Sequence, residues 1–145
     1  MEFSNTVVIE RPRHEVFAFV ADPENVPAWN YAIEETTKTS DGPVRVGTTF
    51  RQTRSIPRRS EETLEVTELE PDRRFEIRGE LGPFVGSLSY ELEDLGGQTR
   101  LTNTAVLEGR GLMKVAGAMA AGRVREAVAA NLVTLKELLE RRLGG

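Results

Sequence analysis

"VVIERPRHEVFAFVADPENVPAWN" (residues 7–30) changes its periodicity twice, and those two changes set the layout of the chain. The segment FSNTVVIE (3–10) places Phe3, Asn5, Val7 and Ile9 on one face and Ser4, Thr6, Val8 and Glu10 on the other. A period of two with β-branched residues predicts a strand. Pro12 then suits the first turn of a helix, and Val16, Phe17 and Val20 share one helical face. Asp22 precedes Pro23, and a residue before proline disfavours the helical region, so this helix stops there. Asp22 also suits the cap of a second short turn with Pro23 in its first position. A strand is thus followed by two short, kinked helices, 12–21 and 23–29. They deliver Trp29, the only tryptophan, to the edge of the next strand. Trp29 reads as a wedge between the short helices and a sheet. One edge of it, with Tyr31, also reads as a pocket wall.

Strand signals follow outward from Trp29: YAIEETTKT (31–39), VGTTFRQTRS (46–55), EETLEVTELE (61–70), FEIRGEL (75–81), GSLSYELEDL (86–95) and TRLTNTAVLE (99–108). Leu64 and Val66 oppose Thr63, Glu65 and Thr67. Phe75 and Ile77 oppose Glu76 and Arg78. Leu88, Tyr90 and Leu92 oppose Ser87, Ser89, Glu91 and Glu93. The turns SDGP, IPRR, PDRR and GGQ are short, so successive strands are antiparallel. One-sided alternation predicts one packed face and one face in water.

From 112 to 143 the period becomes helical. Gly117, Ala121, Val124, Val128, Leu132, Leu135 and Leu139 form a stripe, with Arg123, Glu126, Glu137 and Arg141 opposite and Asn131 at its border. A curved sheet needs a partner for its apolar face, and only this helix is large enough. The first strand can pair with an edge of the same sheet. The expectation is one α+β domain, 1–145, with a seven-stranded antiparallel curved sheet around the long C-terminal helix.

Hydrophobic residues make up 39% of the chain and charged residues 29%, an ordinary globular balance. There is no cysteine, which excludes disulfides, thiolate metal sites and a Cys nucleophile. The single histidine, His14, lies opposite the Val16/Phe17/Val20 face, so exposure is expected. No metal and no other cofactor is expected. The N-terminus has no basic segment before an apolar run, and no stretch of about 18 apolar residues exists. A cytoplasmic protein without integral membrane association is expected. The net charge of −4 argues against nucleic acid as a partner.

In element order the chain resembles the helix-grip fold of START-like lipid-binding domains, the plant pollen-allergen family and bacterial polyketide cyclase/dehydrases (SRPBCC). The resemblance is carried by residues 7–30, by ELEPDRRFEIRG (68–79) and by NLVTLKELLE (131–140). It is nearest to the bacterial branch, whose Ile–x–x–Pro–x–x–x–Val–Phe opening matches Ile9, Pro12, Val16 and Phe17, ahead of Asp22-Pro23 and Trp29. The resemblance implies a cavity between sheet and helix that takes a small hydrophobic or amphipathic molecule. Family members cyclise or dehydrate polyketides, or carry lipids and sense ligands without catalysis. Fold alone does not choose between them.

The expected cavity lining is Trp29, Tyr31, Phe50, Gln52, Leu64, Phe75, Ile77, Phe84, Leu88, Asn103, Val124, Val128 and Asn131. If Phe50 points inward, so do Gln52 and Arg54; Leu88 takes Gly86 and Tyr90 with it, and Leu101 takes Asn103. Buried Gln52, Tyr90 and Asn103 suit either a wet or ligand-filled interior, or a set of mutual and water-mediated bonds. Arg54 and Tyr90 are the candidate catalytic groups, assisting enolisation or dehydration of a polyketide-like chain. Arg58 and Arg59 read as a solvated turn. The resemblance makes a polyketide cyclase/dehydrase-like protein the first choice, with a non-catalytic lipid or small-molecule carrier or sensor as the alternative. The residues alone, with no acid–base pair apparent at inward positions, lean to the carrier. Leu112, Val115 and Met119 fall off the sheet-facing stripe. Segment 112–122 is therefore expected either under covering loops, at a portal, or in a homodimer contact.

Overall fold

The computed structural model describes residues 1–144, with the side chains of residues 113, 115–118 and 142–144 outside the described set. The expectations placed on Val115 and Gly117 lie outside the described residues. Strand β1 (Glu2–Ile9) leads into helix α1 (Arg13–Val20) and a 3-10 helix (Pro23–Ala28). Strands β2 (Ile33–Lys38), β3 (Thr49–Arg54), β4 (Ser60–Glu70), β5 (Arg74–Leu81), β6 (Phe84–Asp94) and β7 (Thr99–Gly109) follow, then helix α2 (Met113–Gly144). The sheet order is β1-β7-β6-β5-β4-β3-β2, antiparallel at every pairing. The first strand therefore pairs with the last, and the expected helix-grip arrangement is present.

The second short helix is 3-10 rather than α-helical. Asp22 accepts a hydrogen bond from Glu24 N at 3.1 Å, as a cap should. Pro27, inside the segment, lacks the N–H that a continuing α-helix needs. Trp29 N closes the turn on Val26 O at 3.0 Å.

Two glycines on adjacent strands, Gly79 and Gly86, are register partners in the middle of the sheet. A methyl group on Gly79 would lie 2.1 Å from Thr63 O, and one on Gly86 1.9 Å from Val106 O. Only a residue without Cβ permits this close backbone approach. The core runs from Ile9, Val16 and Phe50 through Phe75 and Leu101 to Leu132, Leu135 and Leu139. Helix α2 lies along β1. Asn5 Nδ2 donates to Arg125 O at 3.3 Å, Lys136 Nζ to Val8 O at 2.8 Å, and Arg11 Nη2 to Glu140 O at 2.7 Å. Its C-terminal half supplies the buried leucines, whereas Leu112, just before it, and Met119, in its first half, are 91% and 89% exposed.

The outer face of the sheet is not uniformly wet. Ser87 and Ser89, which alternate with the inward residues of β6, are buried. Short side chains on a central strand sit below their longer cross-strand neighbours, Arg78 and Val106 for Ser87, Glu76 and Thr104 for Ser89.

Candidate functional site

The inner face divides into two polar stations separated by apolar residues. The first lies near the end of the sheet where β3 turns into β4. Phe50 and Gln52 are buried and Arg54 is nearly so, as their shared parity requires. Register places Gln52 opposite Glu62 of β4. Glu62 is only 3% exposed. Its Oε1 accepts from Gln52 Nε2 at 2.8 Å, and its Oε2 from Arg54 Nε at 2.8 Å and Gly82 N at 2.6 Å. A buried carboxylate is tolerated only when its oxygens are satisfied in this way. The inward face thus holds a carboxylate that was not among the expected lining residues, bound in an ion pair with an arginine that stays protonated. Glu62 shares parity with Leu64 and Val66, and that alternation was the signal for it.

The second station joins Trp29, Tyr90, Phe75 and Asn103. The Trp29 ring stands edge-on to Tyr90, with centroids 6.3 Å apart and planes at 85°. Phe75 lies nearly parallel to Tyr90 at 6.5 Å. Tyr90 is the register partner of both Phe75 and Asn103. Asn103 Nδ2 donates to Ser89 O at 3.2 Å, but Asn103 Oδ1 and Trp29 Nε1 are buried without a partner among the described residues. The Tyr90 hydroxyl makes no hydrogen bond to a described residue either. Burial alone pushes its pKa well above the ordinary tyrosine value, so it is a proton-bearing phenol at neutral pH. In that form it is available as a hydrogen-bond donor rather than as a base.

The other expected lining residues fall as follows. Leu64, Ile77 and Phe84 are buried in the core, and Asn131 is buried on α2. Leu88, Val124 and Val128 are half-buried and pack against the core. Tyr31 does not join them. It is 61% exposed, in the turn before β2. His14 is exposed on α1, and Arg59 is a surface partner of Glu34 at 2.8 Å.

Beside the Arg54–Glu62 station a cleft of ≈ 520 Å³ opens between three connections: β3–β4, β5–β6 and β7–α2. Arg54, Pro57, Arg58, Ser60, Gly82, Pro83, Arg110, Gly111 and Leu112 line it. Its volume is in the range of about 300–1,000 Å³ usual for small-molecule sites. A smaller groove of ≈ 280 Å³ at the opposite end of the sheet is lined by Glu70, Arg73, Arg74, Glu91, Leu92, Glu93, Arg100 and Thr102. There Arg74 is matched by Glu68, Glu76 and Glu91, so charges compensate one another within the protein. Among the described residues, no three potential metal ligands of the His, Cys, Asp or Glu type come together. No helix among them is long and apolar enough to cross a membrane.

Comparison with known proteins agrees with this architecture. The START superfamily protein from Mycobacterium smegmatis superposes with a TM-score of 0.78 at 20% identity, covering 95% of this chain and 98% of that one. The Zhui aromatase/cyclase from Streptomyces sp. R1128 superposes at 0.75 and 20% identity, over 99% and 95% of the two chains. The di-domain ARO/CYC BexL of the BE-7585A biosynthetic pathway superposes at 0.77 and 18% identity. This chain spans 46% of that longer protein. At these identities the likeness speaks for the fold. No curated protein matches the sequence. The family model described as polyketide cyclase / dehydrase and lipid transport matches residues 1–140. The chain belongs to the polyketide cyclase/dehydrase and lipid transport family.

Proposed function

We propose that this protein binds a small hydrophobic or amphipathic molecule, which enters by the cleft beside Arg54 and lies between the sheet and the first half of α2. The observation that carries the reading is Leu88. It sits on the inner face of a central strand, paired with Ile77 and Ala105, yet it is more accessible than Ser87 and Ser89 on either side. A leucine at the centre of a closed core would be the most buried of the three. Val124 and Val128 on α2 are likewise only half-buried while packed against the core, which supports a guest there. Burying the apolar surface of a guest there is favourable at about 25 cal/mol per Å². The partnerless Trp29 Nε1 and Asn103 Oδ1 supply a donor and an acceptor for its polar groups or for water held with it.

Within that reading, cyclase/dehydrase-like chemistry on a polyketide-like chain is the first choice, in keeping with the family. Tyr90 would donate a hydrogen bond to a carbonyl or enolate oxygen. The walls would fold the chain and keep water from it. A carrier without catalysis is the second reading. It is favoured by Glu62, whose two carboxylate oxygens are already taken by Gln52, Arg54 Nε and the Gly82 amide. Native mass spectrometry of the gently purified protein tests binding: a small molecule released on denaturation supports it. Turnover of a bound polyketide-like substrate, compared between wild type and Tyr90→Phe, separates catalyst from carrier. A catalyst loses turnover beyond any loss of affinity, whereas a carrier shows none to lose.

A further inference from the structure

We propose that the cleft seats an acidic end group of the ligand, a carboxylate or phosphate held among Arg54, Arg58 and Arg110, with the apolar body running inward. This inference rests on the binding reading above and narrows it to anionic amphiphiles.

Among the described residues, the charged side chains lining the cleft are all arginines. Glu62 fixes one of them: it takes the Arg54 Nε–H and is itself held by Gln52 and the Gly82 amide. The Arg54 guanidinium is thereby oriented, while its two terminal amino groups have no acceptor among the described residues. Arg58 also has none. Arg110 uses Nη1 on Glu80 at 2.9 Å and keeps its other amino group. A guanidinium carries five N–H donors in a planar fork suited to paired oxyanion oxygens, so these groups retain most of their binding capacity. Pre-orientation by Glu62 removes part of the ordering that binding otherwise demands.

The remaining lining fits such a head group. Gly82 and Gly111 have φ of +66° and +55°, a backbone region that favours glycine, and neither puts a side chain in the way. Pro57, Pro83 and Leu112 offer apolar contacts where the first methylenes would lie. The chain as a whole carries a net charge of −4, so attraction for an anion is local to the cleft and sensitive to salt.

Calorimetric titration of the intact protein with dodecanoate, dodecyl phosphate and 1-dodecanol at neutral pH tests the proposal. At least one of the two acids is expected to bind roughly tenfold or more tightly than the alcohol, with the advantage shrinking at high salt. The tighter of the two identifies the preferred oxyanion. Arg58→Ala and Arg110→Ala alter exposed side chains, and either is expected to weaken the acid several-fold and leave the alcohol unchanged. Equal binding of acid and alcohol, or acid binding untouched by both substitutions, overturns the acidic-end proposal and leaves the binding reading standing. Absence of binding by all three amphiphiles overturns both.

Discussion

Arg54 Nε and Glu62 Oε2 meet at 2.8 Å on the inner face of the sheet, the arginine at the cleft and the carboxylate behind it. The pair joins the fold to the proposed site. Removing the carboxylate strips the partner from Arg54, Gln52 and the Gly82 amide together. Glu62→Ala is expected to lower stability by about 2–4 kcal/mol in urea denaturation, less than a fully buried pair because Arg54 reaches the cleft. A loss below about 0.5 kcal/mol would show that the network contributes little.

Gly79 and Gly86 are expected to refuse alanine. An added methyl would lie at 2.1 Å or 1.9 Å from a neighbouring carbonyl, so backbone must move. Either substitution should lower the unfolding free energy by several kcal/mol, in line with the ~1–3 kcal/mol or more seen for overpacked cores. Gly122→Ala is the counterpart. It lies within α2 with open space at its Cβ position, and should raise stability by about 0.5–1 kcal/mol. Thermal melts of the three variants check both directions.

Much of this layout was legible in the chain. Strand-type segments between short turns, several with period-two alternation, located all seven strands, and the helical stripe of Leu132, Leu135 and Leu139 located the gripping face of α2. Glu62 was passed over because a charged residue in EETLEVTELE reads as outward by type, although its parity with Leu64 places it inward. Tyr31 was drawn to the pocket by its neighbour Trp29. A turn separates it from β2, and the register shift between Ile33 and Glu35 breaks parity at the start of that strand. The Gly79–Gly86 contact depends on which strands pair in which register, which one-dimensional pattern does not contain.

Tyr90 predicts an alkaline limit. Burial raises its pKa above the ordinary value of 10.0, so the folded state keeps a proton that the unfolded chain releases. Stability is therefore unaffected by this group below pH 10 and falls as pH rises beyond it. Tyr90→Phe should remove that part of the decline, and should be nearly neutral in stability at pH 7 because the hydroxyl has no bonded partner among the described residues. Denaturation curves between pH 7 and 11 measure it. A steep alkaline loss identical in both proteins would contradict the assignment.

Glu140 anchors the end of α2. Lys136 and the Glu10 amide hold its carboxylate, the lysine hydrogen bond being the main cause of a pKa below the usual carboxylate value. A depressed pKa contributes stability above the unfolded value and loses it as pH falls through the folded one. Glu140→Gln should lower stability by about 1 kcal/mol at pH 7, a discounted value for a partly exposed charged hydrogen bond. The gap should close as pH drops through and below the carboxylate range. A difference that persists undiminished in acid would count against it.

The central claim is that a small amphiphile occupies the space reached through the Arg54 cleft. An amide and indole NMR titration of the intact, isotope-labelled protein with dodecanoate tests it most directly. The account predicts saturable shifts at Gly82, Gly111, Leu88 and the Trp29 indole N–H. Shifts confined to the exposed start of α2 around Met119, or no shifts at any concentration, would contradict it.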